Sequence, residues 1–570
     1  MDHSKKYRSY AWKWISQDPE EEYRNHIKSL IFNEDEDELH ELFGAELKFG
    51  TAGLRGRLGP GPNRMNLAVV RRTSFGISQM VLQQNPSNPS IVVGYDARHR
   101  SREFAIDAAV LFCAAGNQVH FIVKIAATPY LAHAVVKHNC TAGVMITASH
   151  NPPQDNGYKV YWGNGAQIVP PIDQNISSFI DSLNHEHIEF ELEDDQDIYE
   201  LPDETLQGYF DAVQNLRVHD KTGAKIIYTP LHGVGTEYVE TVLSRAGHEF
   251  VTVPEQREAN PDFPTVQFPN PEEPGAMDMA LELAKTKGSD IIIANDPDAD
   301  RLAVIALHDG KYRAFTGNQI GLLLAEDLLT NGDWGDNPMV ATTIVSSSQL
   351  KTIAEAHGAA YTETLTGFKW IANEAIRHDS SGGQFVIGFE EALGYSVGSV
   401  ARDKDGVSAA LLVADLASYA KSQNKTLWDL HDELVLKYGL TASDLVSIKK
   451  HGLEGTEEIK LMLDQLRNNP PVEIAGSSVI ETCDYWQKIK KGRDGNTEKL
   501  SLPKSNVLVY FLEDGARIIV RPSGTEPKIK FYYEAKAYPT QIEAIPACSE
   551  QLIQRIQALK SAMQAITAGG

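Results

Sequence analysis

The stretch Asp290-Ile291-Ile292-Ile293-Ala294-Asn295-Asp296-Pro297-Asp298-Ala299-Asp300-Arg301 joins an apolar, β-branched run to a cluster of three carboxylates. The apolar run predicts a buried strand. Because Pro297 disfavours a helical conformation at Asp296, the aspartates are expected on a loop at the carboxyl end of that strand. Ligands of open α/β sheets bind outside the carboxyl ends of the strands. The stretch therefore predicts an α/β domain with a ligand site directly after one of its strands.

The three carboxylates predict a metal site. Asp296, Asp298 and Asp300 alternate along the chain, so in an extended segment they would share one face. Carboxylates this close together repel one another unless a cation holds them, and hard oxygen ligands suit Mg²⁺. An EF-hand loop also begins with alternating aspartates, but here Arg301 stands at its glycine position and Leu307 at its glutamate position. The cluster therefore predicts a magnesium site that is not an EF-hand.

The same order of strand and polar loop recurs along the chain. Strands are predicted over residues 91–96, 143–147, 225–229 and 384–388, and a helix over 103–115. The strand over 143–147 ends just before Ser149, and the strand over 384–388 ends just before Glu390. Polar side chains at several strand ends predict one ligand site built from several loops.

The two ends of the chain have a different character. The first forty residues predict an acidic, helical packing arm. Residues 507–512 and 516–520 predict a β-hairpin, 529–534 a further strand, 550–565 a closing helix, and the polar residues 488–499 an exposed loop. This C-terminal part reads as a separate α+β domain.

Length and composition limit the possible functions. At 570 residues the chain is expected to form about four domains. A formal charge of −24 argues against nucleic acid as a partner, because binding to a phosphate backbone requires clustered cations. The four cysteines have no metal-binding spacing and fit a reduced compartment. No apolar run reaches the ~18 residues of a membrane span, and the first residues lack a signal-peptide core. We therefore expect a cytoplasmic protein with no membrane partner.

Ser149 has two interpretations from its own segment. It can cap a turn before Pro152, or it can be a reactive nucleophile at the end of a buried strand. The chain has no G-x-S-x-G elbow at this serine, which argues against an acyl-transfer hydrolase. Lys159 follows the turn-prone Asp155-Asn156-Gly157 and would by itself be taken for a solvated charge.

Two further segments are suited to phosphate. Arg55 lies between Gly53 and Gly56, whose missing side chains let an anion approach the backbone. The segment from Arg521 to Lys528 offers a guanidinium fork, two hydroxyls, backbone N–H groups and a point charge. A simple turn around Pro522 is the alternative interpretation of the second segment.

Five segments, taken in order, resemble the α-D-phosphohexomutase superfamily, which includes phosphoglucomutases and phosphomannomutases. They are Lys48-Phe49-Gly50-Thr51-Ala52-Gly53-Leu54-Arg55-Gly56, Thr147-Ala148-Ser149-His150-Asn151-Pro152, Asp296-Pro297-Asp298-Ala299-Asp300-Arg301, Gly388-Phe389-Glu390-Glu391-Ala392-Leu393-Gly394 and Arg521-Pro522-Ser523-Gly524-Thr525-Glu526-Pro527-Lys528. The resemblance implies an α/β fold of four domains, three similar α/β domains with mixed sheets and a C-terminal α+β domain, around a central cleft. The expected domains are residues 1–205, 206–312, 313–435 and 436–570.

The resemblance also implies residue roles. Ser149 would carry the phosphoryl group and complete the metal site of Asp296, Asp298 and Asp300. Lys159 would be the general acid/base, with its pKa lowered by neighbouring cations, and His150 would support Ser149. Arg55 and Arg301 would contact the transferring phosphoryl group. The substrate-binding residues would be Lys48, Thr51, Glu390, Lys369, Lys404, Arg521, Ser523, Gly524, Thr525 and Lys528.

The function implied is that of an intramolecular phosphotransferase. It would interconvert hexose 1-phosphate and hexose 6-phosphate, with α-D-glucose phosphates first and mannose next, through phosphoserine and a bisphosphate intermediate. One Mg²⁺ per subunit, a sugar bisphosphate activator and a monomer or weak homodimer are expected. Ala392 replaces a serine common in the sugar loop, as in the branch of bacterial phosphoglucomutases and animal phosphopentomutases. The alternatives are a phosphopentomutase, a sugar bisphosphate synthase, a sugar phosphatase and a noncatalytic sugar-phosphate-binding protein.

Overall fold

A computed structural model describes residues 3–48, 53–183, 198–450, 452–523 and 528–568. The chain divides into two compact units. The first unit is Met1–Thr316, Ala372–Ser381 and Leu393–Thr426, and the second is Gly317–Ile371, Gly382–Ala392 and Leu427–Gly570.

The helices and strands of the described residues are numbered in chain order. The helices are α1 His3–Ile15, α2 Glu21–Asn33, α3 Glu36–Phe43, α4 Leu67–Gln84, α5 Ser101–Ala114, α6 Thr128–Lys137, α7 Ile172–Ser182, α8 Asp203–Gln214, α9 Gly235–Ala246, α10 Pro254–Arg257, α11 Asp278–Lys287, α12 Gly317–Asn331, α13 Gln349–Ala356, α14 Phe368–Ser380, α15 Gly406–Ser422, α16 Leu427–Tyr438, α17 Gly452–Asn468 and α18 Ile545–Ala568. The strands are β1 Leu54–Arg57, β2 Ser90–Tyr95, β3 Gln118–Phe121, β4 Ala142–Ile146, β5 Asp155–Trp162, β6 Ile198–Glu200, β7 Ile226–Thr229, β8 Phe250–Thr252, β9 Ile291–Asn295, β10 Leu302–His308, β11 Lys311–Ala314, β12 Pro338–Thr343, β13 Ala360–Thr364, β14 Gln384–Glu390, β15 Gly394–Val397, β16 Leu440–Lys449, β17 Glu473–Ile474, β18 Ser477–Asp484, β19 Ile489–Gly492, β20 Thr497–Lys499, β21 Leu508–Leu512, β22 Arg517–Pro522 and β23 Lys528–Ala537.

The N-terminal arm is helical, as predicted, and forms α1 to α3. The Asp35 side chain caps α3 by accepting the Glu38 N–H, which satisfies a donor that the helix leaves unpaired. Trp14 of the arm is fully buried and Leu39 is packed in the same core as β2 and β4. The arm therefore stabilises the first domain by burying apolar surface.

The first sheet has the strand order β1-β5-β4-β2-β3-β6. Its strands β2, β3, β4 and β6 run parallel, whereas β5 pairs antiparallel with both β4 and β1. The predicted strands over 91–96 and 143–147 are confirmed as β2 and β4. The predicted turn at Asp155-Asn156-Gly157 is wrong, because these residues begin β5. Gly157 fits there because an added Cβ would lie 2.5 Å from the Thr147 carbonyl oxygen, so close strand packing overrides the turn propensity.

The second sheet repeats this arrangement with the order β11-β10-β9-β7-β8. Strand β9 pairs parallel with β7 and antiparallel with β10. The aspartate cluster follows β9, as predicted. The loop after β7 packs directly on it: an added Cβ at Gly233 would lie 2.3 Å from the Pro297 Cα atom. Only glycine permits this approach, and the Val234 N–H donates to the Pro297 carbonyl oxygen.

The second unit contains strands of two sheets. In the first of them β12 lies between β13 and β14 and is parallel to both. The C-terminal sheet has the order β16-β23-β22-β21-β18-β19-β20, with β17 on β18, and its pairs are antiparallel. The predicted hairpin is confirmed as β21 and β22, and the closing helix as α18.

The predicted exposed loop over 488–499 is wrong, because β19 and β20 form a hairpin there. Cys483 of β18 pairs with Lys490 of β19, which extends the C-terminal sheet. The Asp494 side chain accepts the Asn496 N–H in the connecting turn. Polar residues suit this hairpin because edge strands with charged side chains resist pairing with another chain. None of the helices that the structure describes is both long and apolar enough to cross a membrane.

Candidate active site

Ser149 lies in the loop directly after β4 and is buried. Its φ angle of 54° is in the left-handed region, which is costly for a residue with a side chain and persists only where the surroundings enforce it. Its N–H donates to the Thr147 hydroxyl. Its Oγ atom donates to Oδ2 of Asp296 over 2.8 Å and lies 3.1 Å from Nδ1 of His150. The strained loop thus presents the hydroxyl to the aspartate cluster.

Arg98 holds the Ser149 loop in this shape. Its guanidinium donates to the carbonyl oxygens of Ser149, Asn151 and Pro152. The side chain is buried and lies 5.1 Å from the centre of the Phe263 ring. Sequence reasoning missed Arg98. Its position just beyond the carboxyl end of β2 was the available signal, because polar residues at that end of a strand face the ligand edge.

The three aspartates after β9 are buried, and one ligand oxygen from each lies within 4.8 Å of the others. Asp296 accepts the Ser149 hydroxyl on Oδ2 and the Arg301 N–H on Oδ1. The Lys159 ammonium donates to Oδ2 of Asp298 over 2.6 Å and to Oδ2 of Asp300 over 2.8 Å. The serine, the lysine and the three carboxylates predicted from separate segments therefore meet at one point.

The aspartate cluster fits a metal ion. Oδ1 of Asp298 and Oδ1 of Asp300 are both buried and, within the described part of the chain, have no hydrogen-bond partner. Leaving a buried carboxylate oxygen unsatisfied costs free energy, which a coordinated cation would recover. Carboxylate oxygens are hard ligands, and the Ser149 hydroxyl lies beside them. This group of residues can therefore hold a metal ion.

The cluster shifts the pKa values of its members in opposite directions. Burial, with repulsion from Asp300 and Asp298, raises the pKa of Asp296 well above its usual value. Burial also acts to raise the pKa of Asp300, but the positive charges of Lys159 and Lys404 outweigh it, and that pKa is lowered. Against burial, the Lys159 ammonium also contributes to a lowered pKa at Asp298, so the carboxylates of Asp298 and Asp300 are both held as anions.

Lys159 is buried rather than solvated, and the predicted lowering of its pKa is wrong. Burial acts to lower the pKa, but the carboxylates of Asp298 and Asp300 outweigh it, so the pKa of the Lys159 ammonium is raised. The register of the first sheet explains this, because Met145 of β4 pairs with Lys159 of β5 and the strand directs the side chain toward the cluster. The sequence indicated the nearby cations but not the closer carboxylates.

Three further cations surround this point. Arg55 lies on β1 opposite Gly157, and burial lowers its pKa although Asp298 and Asp300 act to raise it. Nη1 of Arg301 lies 3.7 Å from the Glu272 carboxylate. Nζ of Lys404 lies 3.2 Å from Oδ2 of Asp300. Lys404 therefore lies beside the aspartate cluster, in the first unit.

His150 completes the surroundings of Ser149. Burial, with repulsion from the Arg301 and Arg55 cations, lowers the pKa of the His150 imidazole well below its usual value. The ring is therefore neutral at neutral pH, and its Nδ1 atom can accept or donate a hydrogen bond at the Ser149 hydroxyl. Lys48 is exposed at the end of the preceding segment, and Thr51 lies outside the described residues.

The predicted sugar loop lies in the second unit, where Glu390 ends β14. Its Oε1 atom accepts the Gly367 N–H over 2.8 Å, so two predicted substrate loops are joined. Lys369 is buried, with Nζ 5.6 Å from the Trp370 ring centre. A carboxylate at the end of β14 and an ammonium in the first turn of α14 therefore lie on two segments that the Gly367 hydrogen bond joins.

The predicted phosphate loop also lies in the second unit. Arg521 lies in β22, where it pairs with Lys530 of β23. The Ser523 N–H donates to the Lys528 carbonyl oxygen over 2.7 Å and closes the base of the loop. The other two predicted residues, Gly524 and Thr525, lie outside the described residues.

Models of a known family match most of the chain. The four domains described as phosphoglucomutase/phosphomannomutase alpha/beta/alpha domains I, II and III and C-terminal domain match residues 46–187, 207–309, 316–438 and 484–547. This match confirms the predicted architecture of four domains.

Individual relatives agree with the family match. The chain is 36% identical over 556 residues to a probable phosphoribomutase of Schizosaccharomyces pombe, covering 92% of this chain and 93% of the relative. It is 42% identical over 479 residues to a probable phosphomannomutase of Haemophilus influenzae, covering 83% of this chain and 93% of the relative. A crystal structure of a putative phosphomannomutase from Thermus thermophilus shares the fold, with a TM-score of 0.68 at 21% identity over 92% of this chain and 99% of that one. The chain therefore belongs to the phosphoglucomutase/phosphomannomutase family, within the α-D-phosphohexomutase superfamily.

Proposed function

We propose that the protein is a phosphosugar mutase that interconverts hexose 1-phosphate and hexose 6-phosphate, with α-D-glucose phosphates as the first candidates. One observation carries the proposal: the Ser149 hydroxyl lies 2.8 Å from Asp296 in a buried cluster of three carboxylates. A nucleophile beside a group that can hold a cation, with Arg301 directly after the aspartates and Arg55 on the neighbouring strand β1, is suited to phosphoryl transfer.

Asp296, Asp298 and Asp300, with an oxygen of Ser149, would hold one Mg²⁺ ion. When bound, the ion would supply positive charge at the transferring phosphoryl group. The guanidinium groups of Arg55 and Arg301 would bind the phosphoryl oxygens and hold the group in line with the serine oxygen.

Each phosphoryl transfer between the sugar and Ser149 is accompanied by the movement of two protons. In the first transfer, phosphorylated Ser149 gives its phosphoryl group to the free hydroxyl of the sugar 1-phosphate, and a sugar bisphosphate forms. When that bisphosphate gives its other phosphoryl group back to Ser149, the bond between phosphorus and the sugar oxygen breaks and the bond to Oγ forms. The Lys159 ammonium donates a proton to the leaving sugar oxygen. The Ser149 proton passes to the Asp296 carboxylate, which already accepts its hydrogen bond, with His150 beside it. In the first transfer the same two protons move in the opposite direction, so that Lys159 takes the proton of the attacking sugar hydroxyl and Oγ of Ser149 regains its own.

The rest of the substrate would be bound by the predicted substrate-binding residues. The Glu390 carboxylate accepts hydrogen bonds from adjacent sugar hydroxyls. Arg521, Ser523 and Lys528 bind the phosphate that is not being transferred. The remaining proposed contacts are Lys48, Thr51, Lys369, Lys404, Gly524 and Thr525. After the first transfer the bisphosphate turns over, so that its other phosphate faces Ser149, and a sugar bisphosphate acts as activator.

A pentose phosphate is the second candidate substrate. Ala392 lacks the hydroxyl that a serine at this place in the sugar loop would offer to a hexose. The probable phosphoribomutase relative also matches 92% of this chain. A ribose 1-phosphate to ribose 5-phosphate reaction would use the same serine, carboxylates and cations.

The test is a comparison of turnover on glucose 1-phosphate, mannose 1-phosphate and ribose 1-phosphate, each with Mg²⁺ and a trace of the matching bisphosphate. We expect conversion to the terminal phosphate with glucose 1-phosphate preferred. Preference for ribose 1-phosphate would instead support the conversion of ribose 1-phosphate to ribose 5-phosphate as the reaction of this protein. Release of inorganic phosphate without isomer formation would overturn the mutase proposal in favour of a phosphatase. A Ser149→Ala variant is the matched control and should be inactive on all three.

A further inference from the structure

Thr128 makes a two-point contact with the aspartate loop. It begins helix α6 in the first domain and is fully buried. Its N–H donates to the carbonyl oxygen of Asp298 over 3.0 Å, and its hydroxyl donates to Oδ2 of the same residue over 2.6 Å. One bond fixes the backbone of Asp298 and the other fixes the torsion of its carboxylate.

The two oxygens of the Asp298 carboxylate have different surroundings. Oδ2 accepts hydrogen bonds from both Thr128 and Lys159. Oδ1 is buried and has no hydrogen-bond partner among the residues that the structure describes. Because Thr128 holds Oδ2, rotation of the carboxylate would break a short hydrogen bond in a buried site. The Thr128 hydroxyl, together with the Lys159 ammonium, therefore holds Oδ2 and leaves Oδ1 available to a cation.

The hydroxyl differs in kind from the other donors at this point. The Lys159 and Lys404 ammonium groups neutralise the carboxylates that they contact, and so compete with a cation for the same charge. A threonine hydroxyl carries no net charge, so it orients Asp298 without weakening its attraction for a cation. The amino end of α6, where the partial charge is positive, adds to the stabilisation of the anionic form.

We infer that Thr128 is a positioning residue for the metal site, and that it orients Asp298 so that Oδ1 faces the ion. The inference rests on the proposed function, because it requires a divalent cation on the three aspartates. Residues that orient metal ligands typically contribute ~10- to 100-fold to metal affinity. Replacing Thr128 should therefore weaken metal binding while leaving the fold in place.

The test compares Thr128→Val with Thr128→Ser on the full chain. Valine keeps the branched shape and the backbone N–H but removes the hydroxyl, and serine keeps the hydroxyl. Thr141→Val is the matched control, because Thr141 is also buried and its hydroxyl accepts a hydrogen bond from Asn85, before the other end of β4. The readouts are the dissociation constant of Mn²⁺ measured by electron paramagnetic resonance, and the melting temperature in EDTA.

We expect Thr128→Val to weaken Mn²⁺ binding by ~10- to 100-fold, with Thr128→Ser and Thr141→Val within about threefold of the wild type. In EDTA the melting temperatures of Thr128→Val and Thr141→Val should fall by similar amounts relative to the wild type. If the wild type binds Mn²⁺ and Thr128→Val has the same dissociation constant, the positioning role of Thr128 is overturned but the proposed metal site is not. Failure of the wild type to bind Mn²⁺ would overturn the proposed metal site itself. If Thr128→Val does not fold, Thr128→Ala replaces it, and equal constants for the alanine and serine variants would overturn the inference.

Discussion

The loops after β4 and β9 occupy the same place in two similar sheets but carry opposite chemistry. Each follows a strand with a parallel neighbour on one side and an antiparallel neighbour on the other. The loop after β4 presents one neutral hydroxyl, and an arginine, Arg98, holds its carbonyl oxygens. The loop after β9 presents three carboxylates, which Lys159 and Lys404 neutralise in part.

In these two sheets the topology sets the position of each loop, and the residues around the loop decide its chemistry. Lys159 comes from the first sheet and contacts the aspartates of the second. Asp296 comes from the second sheet and accepts the hydrogen bond of Ser149 from the first. Each loop therefore completes the other, and neither would be an active site by itself.

Replacing Ser149 with alanine should have the largest effect. Without the Oγ atom no phosphoenzyme can form, so steady-state mutase turnover should fall by on the order of 10⁴-fold or more. Mn²⁺ binding should weaken but remain, because the proposed site loses the Ser149 oxygen and keeps all three aspartates. Turnover is measured with Mg²⁺ and a bisphosphate trace. Turnover near the wild-type rate would show that the loop after β4 does not carry the phosphoryl group.

Replacing Asp296 with asparagine should impair metal binding by the loop after β9. The amide oxygen can still accept a hydrogen bond, so the fold should persist, but the lost charge should weaken Mn²⁺ binding by roughly 100-fold. Asp309→Asn is the control, since Asp309 is exposed on the turn between β10 and β11 and asparagine tolerates its φ of 49°. Equal Mn²⁺ constants for the two variants would contradict a metal role for Asp296.

Replacing Arg98 with lysine should have a smaller effect, confined to the loop after β4. A single ammonium cannot reproduce the fork that reaches four carbonyl oxygens, three of them in the Ser149 loop, so that loop should shift. A misplacement of about 1 Å can reduce the rate ~100-fold, and we expect kcat to fall by up to that factor with Mn²⁺ affinity unchanged. Arg102→Lys, on the exposed face of α5, is the control. A parallel loss of Mn²⁺ affinity would show that Arg98 supports both loops.

Replacing Glu390 with glutamine should have the smallest effect and lies outside both loops. The side chain can still accept the Gly367 N–H, but hydrogen bonds from sugar hydroxyls to a neutral amide are weaker than to a carboxylate. We expect KM for the preferred sugar 1-phosphate to rise by about tenfold with kcat changed little. Unchanged KM with lowered kcat would instead place Glu390 in the transfer step.

The sequence predicted the elements of this fold where local pattern decides structure. The apolar runs before Ser149 and Asp296 form the predicted strands β4 and β9. Prediction from the sequence was wrong where contacts between residues distant in the chain determine the local structure. The turn-prone residues before Lys159 lie in β5 because Gly157 packs between neighbouring strands, and the polar residues after Lys488 form an edge hairpin by pairing with β18.

The site was predictable in composition but not in detail. The aspartates and Ser149 carry their chemistry in their residue types, and the structure brings them within hydrogen-bonding distance. The pKa direction of Lys159 was not predictable, since it depends on carboxylates 139 and 141 residues away. Thr128 was missed because a threonine before a proline carries no chemical signature by itself, and Arg98 was missed although its position after β2 was a usable signal.

The most direct test of the account asks whether Ser149 carries the phosphoryl group. The wild-type protein is incubated with Mg²⁺ and glucose 1,6-bisphosphate, and peptides are sequenced by mass spectrometry before and after addition of glucose 1-phosphate. We expect phosphate on Ser149 that is lost to the added sugar phosphate, with ribose phosphates giving the same exchange if the pentose reaction holds. Persistent absence of phosphate from Ser149 during measured mutase turnover would contradict it.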